Sequence, residues 1–150
     1  MPHLEAAGFD SPARSRIHDA IRDHSFSRGA VPTGPLGRAL QDADRLEALG
    51  AIGVFRNIST GARMGSAYFD AEDPWARSRP LDDKAYSVDH FFVKLLRLPA
   101  TMTTDAGRDE ATRRARVIIG LVDALAEELG VPLEDHALVD ALRSPKRASN

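Results

Sequence analysis

The sequence contains no cysteine among its 150 residues. Disulfides and thiolate metal sites are therefore excluded, so any metal ion must be held by His, Asp or Glu side chains. No apolar run approaches the roughly 18 residues that a membrane span needs. The N-terminal "MPHLEAAGFDSP" lacks the basic and apolar regions of a signal peptide. A formal net charge of −2 gives no electrostatic footprint for a nucleic acid polymer. These absences predict a cytoplasmic protein with neither a membrane nor a nucleic-acid partner.

The composition that remains is that of an ordinary globular chain. Hydrophobic residues make up 43% and charged residues 28% of the sequence. A chain of this length fits one domain with a real core. We expect a domain over residues 1–142 and a disordered tail over residues 143–150, because "RSPKRASN" is polar, basic and interrupted by proline.

Helical spacing of apolar residues covers most of the chain, and almost nothing is typical of a strand. Ser11 before Pro12 predicts a helix start, and Gly130 predicts a helix end. The fold class expected is therefore all-α. The predicted helices span residues 11–24, about 33–50 (capped by Thr33), a short glycine-broken segment after 50, 87–98 (capped by Ser87), 103–130 and 133–144.

Residues 60–84 break this pattern with a long irregular segment, "TGARMGSAYFDAEDPWARSRPLDDK". Loops of this length are uncommon in compact domains unless they serve a site or an interface. The segment is therefore expected to contribute to function.

Three carboxylates lie within the apolar helix that contains "LQDADRLEALG". At about 100° per residue, Asp42 and Asp44 point about 200° apart. Asp44 lies about 40° from Leu40, and Glu47 falls on the same apolar side, whereas Asp42 lies nearer Leu46. This geometry predicts Asp44 as the inward carboxylate, with Glu47 as its companion one turn further on. Buried carboxylates need a paired cation, which is either a metal ion or a neighbouring arginine at position 38, 45 or 56.

Two histidines are candidates for chemistry. His24 ends the first helix, where the helix dipole favours a histidine without any function; the alternative is a metal ligand or a phosphate contact. His90 lies in an aromatic helix and is either a core residue or a site residue. Lys94, four positions later on the same face, is either a surface lysine or an anion contact. His18 lies about 240° from His24 around the helix, so the two cannot face one ion.

Four stretches in order and spacing, "HSFS", "DADRLEALGAIGVFR", "DPWARSRPLDDKAYSVDHFFVKLLRLP" and "MTTDAGRDEATRR", resemble the bacterial HD-domain phosphohydrolases. The resemblance covers about residues 10–129 and is closest to the small stand-alone group of predicted HD-superfamily hydrolases. It implies an all-α, HD-domain-like helical bundle that binds a divalent metal ion (Mn, Fe, Ni, Co, Zn or Mg). It also implies a phosphorylated small molecule or nucleotide as the substrate.

In such proteins the metal ligands are a first His, an adjacent His-Asp pair and a final Asp. The resemblance assigns the final Asp to Asp44, and it matches His24 to a further pocket histidine. Arg45 and Lys94 become possible phosphate contacts, and Asp42, Glu47 and His90 become supporting residues around the site. A divalent ion so held would acidify bound water and polarise a phosphoryl oxygen.

The first His and the His-Asp pair have no counterpart here, and His18-Asp19 does not substitute for them, because it lies only six residues before His24. The resemblance therefore predicts an N-terminally truncated domain that is inactive alone and leaves an apolar groove exposed. Two alternatives stay open. In the first, the chain is a non-catalytic remnant that acts as an interaction or homodimerisation module. In the second, His24, Asp44, Asp82 and Asp83 form a different metal site.

Overall fold

The computed structural model describes residues 2–24, 31–133 and 137–143. Within these ranges the chain is helical, with no strand and a single isolated bridge between Ala67 and Tyr86. The all-α prediction is confirmed. The helices are α1 (Pro2–Ala6), α2 (Ser11–Asp23), α3 (Pro35–Leu46), α4 (Gly50–Met64), α5 (Ser87–Val93), a 3₁₀ helix (Leu95–Thr101), α6 (Asp105–Leu129) and α7 (Ala137–Arg143).

Helix α6 is the centre of the domain. It packs against α3, α4, α7 and the 3₁₀ helix. Ala111 and Ala115 are fully buried on its inner side, so neighbouring backbones can approach closely there. Further along, Ile118, Ile119 and Val122 fill the space between the helices. The predicted end at Gly130 is confirmed. This residue adopts a left-handed conformation with φ 63°, which ends the helix.

Helix α5 and the 3₁₀ helix supply the other half of the core. Their apolar side chains are almost completely buried, and the 3₁₀ helix packs against both α5 and α6. Tyr86, rather than Ser87, precedes the first helical residue of α5. The buried apolar residues of this segment are Val88, Phe91, Phe92, Leu95, Leu96 and Leu98.

Helices α2 and α3 form a pair at one side of the core. Their starts lie one residue from the sequence expectation. Asp10 caps α2 by accepting the Ala13 amide at 2.7 Å, and Ser11 is the first helical residue. Gly34, rather than Thr33, precedes α3, which ends at Leu46 and not at Gly50.

The chain turns at residues 47–49 and starts a new helix at Gly50, whose φ of 72° favours glycine. Helix α4 then runs unbroken through two internal glycines, contrary to the short broken helix that we expected. Gly53 is required within it, since an added Cβ would lie 2.2 Å from the Ala48 carbonyl oxygen. The turn buries Leu49 and thereby anchors the start of α4 in the core.

The segment between α4 and α5 is irregular over residues 65–86; the sequence predicted it over residues 60–84, but residues 60–64 belong to α4. It is nevertheless docked along its length. The Trp75 indole N–H donates to the Val131 carbonyl at 2.8 Å, and Arg77 donates to the Pro132 carbonyl at 2.5 Å. Near its end, the Tyr86 hydroxyl donates to Asp70 at 2.7 Å. The loop therefore forms a fixed wall of the domain.

Within the described part of the chain, none of the helices combines the length and the hydropathy that a bilayer crossing requires. The predicted disordered tail falls on residues 144–150, apart from Arg143 at the end of α7, and those residues lie outside the described ranges.

Candidate functional site

The buried carboxylate of α3 is Asp42, which joins α3 to the start of α6. Its side chain is 3% exposed. Oδ1 accepts the Thr103 amide at 2.8 Å and its hydroxyl at 3.0 Å. Oδ2 accepts the Thr104 amide at 2.9 Å and its hydroxyl at 2.6 Å. Thr104 Oγ1 in turn accepts the Gly107 amide and caps α6. The cluster of Asp42, Thr103 and Thr104 is the α3–α6 junction.

This junction stabilises the charged form of the carboxylate. Burial by itself raises the pKa of Asp42, but the hydrogen bonds from Thr103 and Thr104 together outweigh it and hold the pKa below its ordinary value. The expectation that Asp44 is the inward carboxylate is therefore wrong, because the buried carboxylate of α3 is Asp42. The packed side of α3 continues into Leu46 and Leu49, which contact the core.

Asp44 and Glu47 are both exposed, as are Leu36, Leu40 and Ala43 on the same side of α3. Glu47 pairs with Arg56 at 3.5 Å across the turn to α4. An exposed carboxylate at position 44 is available to a ligand, whereas the carboxylate at position 42 is fully engaged. The structure thus separates a structural acid from an accessible one.

His24 lies at the end of α2, half-buried beside α3. Its Nδ1 donates to the Ile21 carbonyl oxygen at 2.5 Å. In the neutral ring, Nε2 then carries the lone pair, which is the arrangement common in metal-binding histidines. The Gln41 amide reaches the Asp23 carbonyl at 3.4 Å and ties this end of α2 to α3. His24 is therefore held on the helix pair that also carries Asp44.

Arg45 points away from this exposed side. Its guanidinium donates to the Thr101 carbonyl at the end of the 3₁₀ helix. Burial lowers the pKa of Arg45, and the charges of Asp42 and Asp44 act in the opposite direction. The side chain is thus engaged in holding α3 to the core.

A pocket of about 370 Å³ lies between α4, α5 and the end of the irregular segment. We call it the α4–α5 pocket. It contains both Lys94 and His90, which the sequence had singled out. His90 Nδ1 meets Asp83 Oδ2 at 3.1 Å, so Nε2 is the ring atom left for a ligand. The other polar residues that line it are Arg56, Asn57, Thr60, Ser66, Lys84 and Ser87.

Two of these lining residues carry the strongest signals of a ligand site. Lys94 is exposed, and among the described residues it has no hydrogen-bond or ion-pair partner for its ammonium group. Ser87 is 2% exposed, and its hydroxyl lacks a partner within the described part of the chain. An unpartnered buried hydroxyl is costly. The pocket therefore combines a free cation at its mouth with an unsatisfied polar atom in its wall.

The described residues do not form a metal cage. No group of three His, Asp or Glu side chains in residues 2–24, 31–133 and 137–143 lies close enough together to hold an ion. The hypothesis of a separate metal site built from His24, Asp44, Asp82 and Asp83 is therefore wrong. Asp83 is instead paired with His90, and Asp82 accepts the Lys84 and Ala85 amides at 3.0 and 3.1 Å.

Sequence reasoning did not find Arg56, Lys84 and Ser87 as pocket residues. Arg56 lies on the same face of α4 as Gly53 and Thr60, at helical spacing, and this was a usable signal. Lys84 belongs to the irregular segment, where periodicity carries no information. The unsatisfied Ser87 hydroxyl is visible only in three dimensions.

The sequence matches no protein-family model. The uncharacterized protein YpgQ of Bacillus subtilis (strain 168) is 35% identical over 117 residues, in an alignment that covers 75% of this chain and 51% of that protein. The chain therefore spans about half the length of the curated relative that it matches.

The chain is also similar in structure to solved proteins. An HD-superfamily hydrolase from Bacillus thuringiensis is 28% identical with a TM-score of 0.68, over 87% of this chain and 61% of that chain. The crystal structure of Bacillus subtilis YpgQ in complex with ADP is 28% identical with a TM-score of 0.64, over 85% of this chain and 58% of that chain.

Proposed function

This chain has the fold of the HD-superfamily hydrolases, as its motifs predicted, and from that premise we propose that it is the nucleotide-binding part of a metal-dependent phosphohydrolase. The solved complex of YpgQ with ADP supports a nucleotide ligand. The observation that carries the proposal is the α4–α5 pocket with its cluster of cations.

Phosphate groups are the ligands that suit this pocket. Its volume of about 370 Å³ lies in the range of small-molecule sites, about 300–1,000 Å³. Lys94 and Lys84 supply compact positive charges, and Arg56 adds a planar donor on the α4 side. We propose that Lys94 is the principal phosphate contact, because its ammonium group has no partner among the described residues.

His90 is the proposed proton carrier of the pocket. Asp83 holds Nδ1 at 3.1 Å and thereby fixes the ring orientation. Nε2 can then accept a hydrogen bond when the ring is neutral and donate one when it is protonated. This gives the pocket a group that can exchange a proton with a phosphate oxygen.

We propose Asp44 and His24 as this chain's contribution to the divalent metal site of the superfamily. The ion, when bound, supplies an acidified water and a polarised phosphoryl oxygen. The described residues offer no third donor to these two. The 150 residues alone are therefore expected to bind nucleotide without hydrolysing it, and Arg45 serves to hold α3 rather than to contact phosphate.

Calorimetric titration with ADP in the presence of a chelator tests the binding proposal. Lys94→Ala is expected to weaken binding at least tenfold, which corresponds to about 1.4 kcal/mol. Arg113→Ala is the control, since it removes an exposed cation on α6 that pairs with Glu110, far from the pocket lining. Equal affinity of Lys94→Ala and the wild type would exclude the pocket as the phosphate site.

A second candidate function is a homodimeric interaction module, and it is favoured by a specific surface. Large apolar side chains are exposed along α3 and α4: Leu36 at 47%, Ile52 at 69% and Phe55 at 72%. Exposed apolar side chains that form a contiguous patch mark interaction sites. A second copy of the chain would bury them.

Sedimentation velocity over a range of concentrations tests this second candidate. Association that Phe55→Glu abolishes supports it. Leu121→Glu, which changes a side chain 42% exposed on α6, is the control and should leave the association unchanged. A concentration-independent monomer contradicts the dimer.

A further inference from the structure

The carboxylate of Asp89 is completely buried on α5, next in sequence to His90. It is held by Arg79 from the irregular segment, with Nη1 at 2.5 Å from Oδ2 and Nη2 at 3.0 Å from Oδ1. Arg79 also lies 4.4 Å from the centre of the Tyr86 ring. A buried charge is tolerated when it is paired and hydrogen-bonded, so the ion pair fixes residue 79 against α5.

Asp89 also holds the backbone that follows. Its Oδ2 accepts the Asp82 amide at 2.7 Å. The Asp82 side chain accepts the next amides, those of Lys84 at 3.0 Å and Ala85 at 3.1 Å. The turn at residues 82–85 is therefore fixed to α5 through one buried carboxylate. The Ser66 hydroxyl closes the turn from the other side by donating to the Lys84 carbonyl at 2.6 Å.

This turn carries two residues of the α4–α5 pocket, Asp83 and Lys84. Asp83 meets the His90 ring, and His90 directly follows Asp89 in α5. Successive helical residues point about 100° apart. Two successive residues of α5 thus contact the same turn: Asp89 accepts the Asp82 amide, and His90 contacts the Asp83 carboxylate.

We infer that the buried Arg79–Asp89 ion pair is a positioning pair for ligand binding, which holds Asp83 against His90 and Lys84 at the pocket. The inference rests on the proposed function of the pocket. Neither member of the pair lines the pocket, so they act through the turn.

A pair with a purely structural role would change the stability of the fold when mutated, without a specific effect on the turn at residues 82–85. Buried ion pairs often stabilise a fold no more than apolar residues of similar size do. Asp89, however, uses its oxygens for both the guanidinium and the Asp82 amide, and an asparagine offers only one acceptor oxygen for these donors. Removing the charge should therefore displace the turn specifically.

The experiment combines ADP calorimetry with NMR of the His90 ring in Asp89→Asn and in the milder Arg79→Lys. We expect ADP affinity to fall at least fivefold in Asp89→Asn. In a Lys84→Ala background the same change should cost less than it does in the wild type, because part of the effect of Asp89 passes through Lys84. Trp75→Phe is the control: it removes a hydrogen bond from the same irregular segment, away from the pocket.

The ring signal separates this inference from the proposed function. The Nδ1–H resonance of His90, assigned with Asp83→Asn, should be lost in Asp89→Asn and retained in Trp75→Phe. If the wild type does not bind ADP, the proposed function fails, and the ring signal alone decides the positioning role. A retained resonance in both Asp89→Asn and Arg79→Lys, or equal losses of affinity with and without Lys84, overturns the inference. If Asp89→Asn does not fold, Arg79→Lys decides by the same readings.

Discussion

Replacing Asp42 with alanine tests how α3 is joined to α6. The carboxylate accepts four hydrogen bonds from Thr103 and Thr104. Hydrogen bonds to charged groups contribute about 1.5–3 kcal/mol each. Both threonines are half-buried, so water can satisfy part of what the alanine leaves open. We expect a loss of about 3 kcal/mol in the free energy of unfolding for alanine, and about 2 kcal/mol for asparagine, which keeps one acceptor oxygen.

The assay is urea unfolding of the metal-free protein followed by circular dichroism. Asp44→Ala is the matched control on the same helix, and it should change the free energy of unfolding by less than about 0.5 kcal/mol, as is usual for exposed residues. The folded pKa of Asp42 lies below its ordinary value. Its contribution is therefore complete above the unfolded pKa and is lost as the pH falls through the folded pKa.

The difference between the wild type and Asp42→Ala should consequently be constant from pH 7 to about pH 5 and shrink below about pH 4. Two results would refute this reasoning. One is an unchanged free energy of unfolding for Asp42→Ala at pH 7. The other is a larger loss in the free energy of unfolding for Asp44→Ala than for Asp42→Ala, which would indicate that Asp44 is the inward carboxylate, as the helical wheel predicted.

Two further predictions concern the junction and the irregular segment. Gly107→Ala should destabilise the protein by about 2 kcal/mol, since the new Cβ would lie 2.3 Å from Asp42 Oδ2. Gly120→Ala, on the same helix but with open space around the new Cβ, should stabilise the protein by about 0.5–1 kcal/mol. Equal changes in the free energy of unfolding for the two variants, measured in urea, would contradict this prediction. The hydrogen bond to Asp70 raises the pKa of Tyr86 above its ordinary value, so ultraviolet titration should show a late-titrating phenol that Tyr86→Phe removes. A late phase that survives this substitution would be inconsistent with the contact.

The long helix α6 was predictable because its packing follows a single period. Along α6, apolar residues recur every three or four positions, and Gly130 ends the helix by its backbone conformation alone. The resemblance to the HD hydrolases, which the sequence motifs suggested, is confirmed by the fold.

The packed side of α3 was not predictable from the wheel. Both flanks carry leucines, Leu36 and Leu40 on one and Leu46 and Leu49 on the other. The choice is made by donors at positions 103 and 104, 61 and 62 residues away from Asp42. Local periodicity contains no information about such partners, so the wheel favoured the wrong flank.

The α4–α5 pocket was predictable in part. Lys94 and His90 are four residues apart, at helical spacing, and both line it. The rest of the wall comes from the turn that carries Lys84, whose position depends on the buried pair between Arg79 and Asp89. One member of that pair is in an irregular segment, ten residues from the other, and no spacing rule connects them.

The attachment of α2 has a consequence for cooperativity. Helix α6 packs against four other elements, whereas α2 packs mainly against α3. Amide protons of α6 should therefore exchange with solvent only through global unfolding, while those of α2 should exchange through a smaller, local opening. His24 lies at the end of α2. Part of the binding free energy of a ligand at His24 would be used to close that opening, and the ligand would slow exchange throughout α2 without changing exchange in the core.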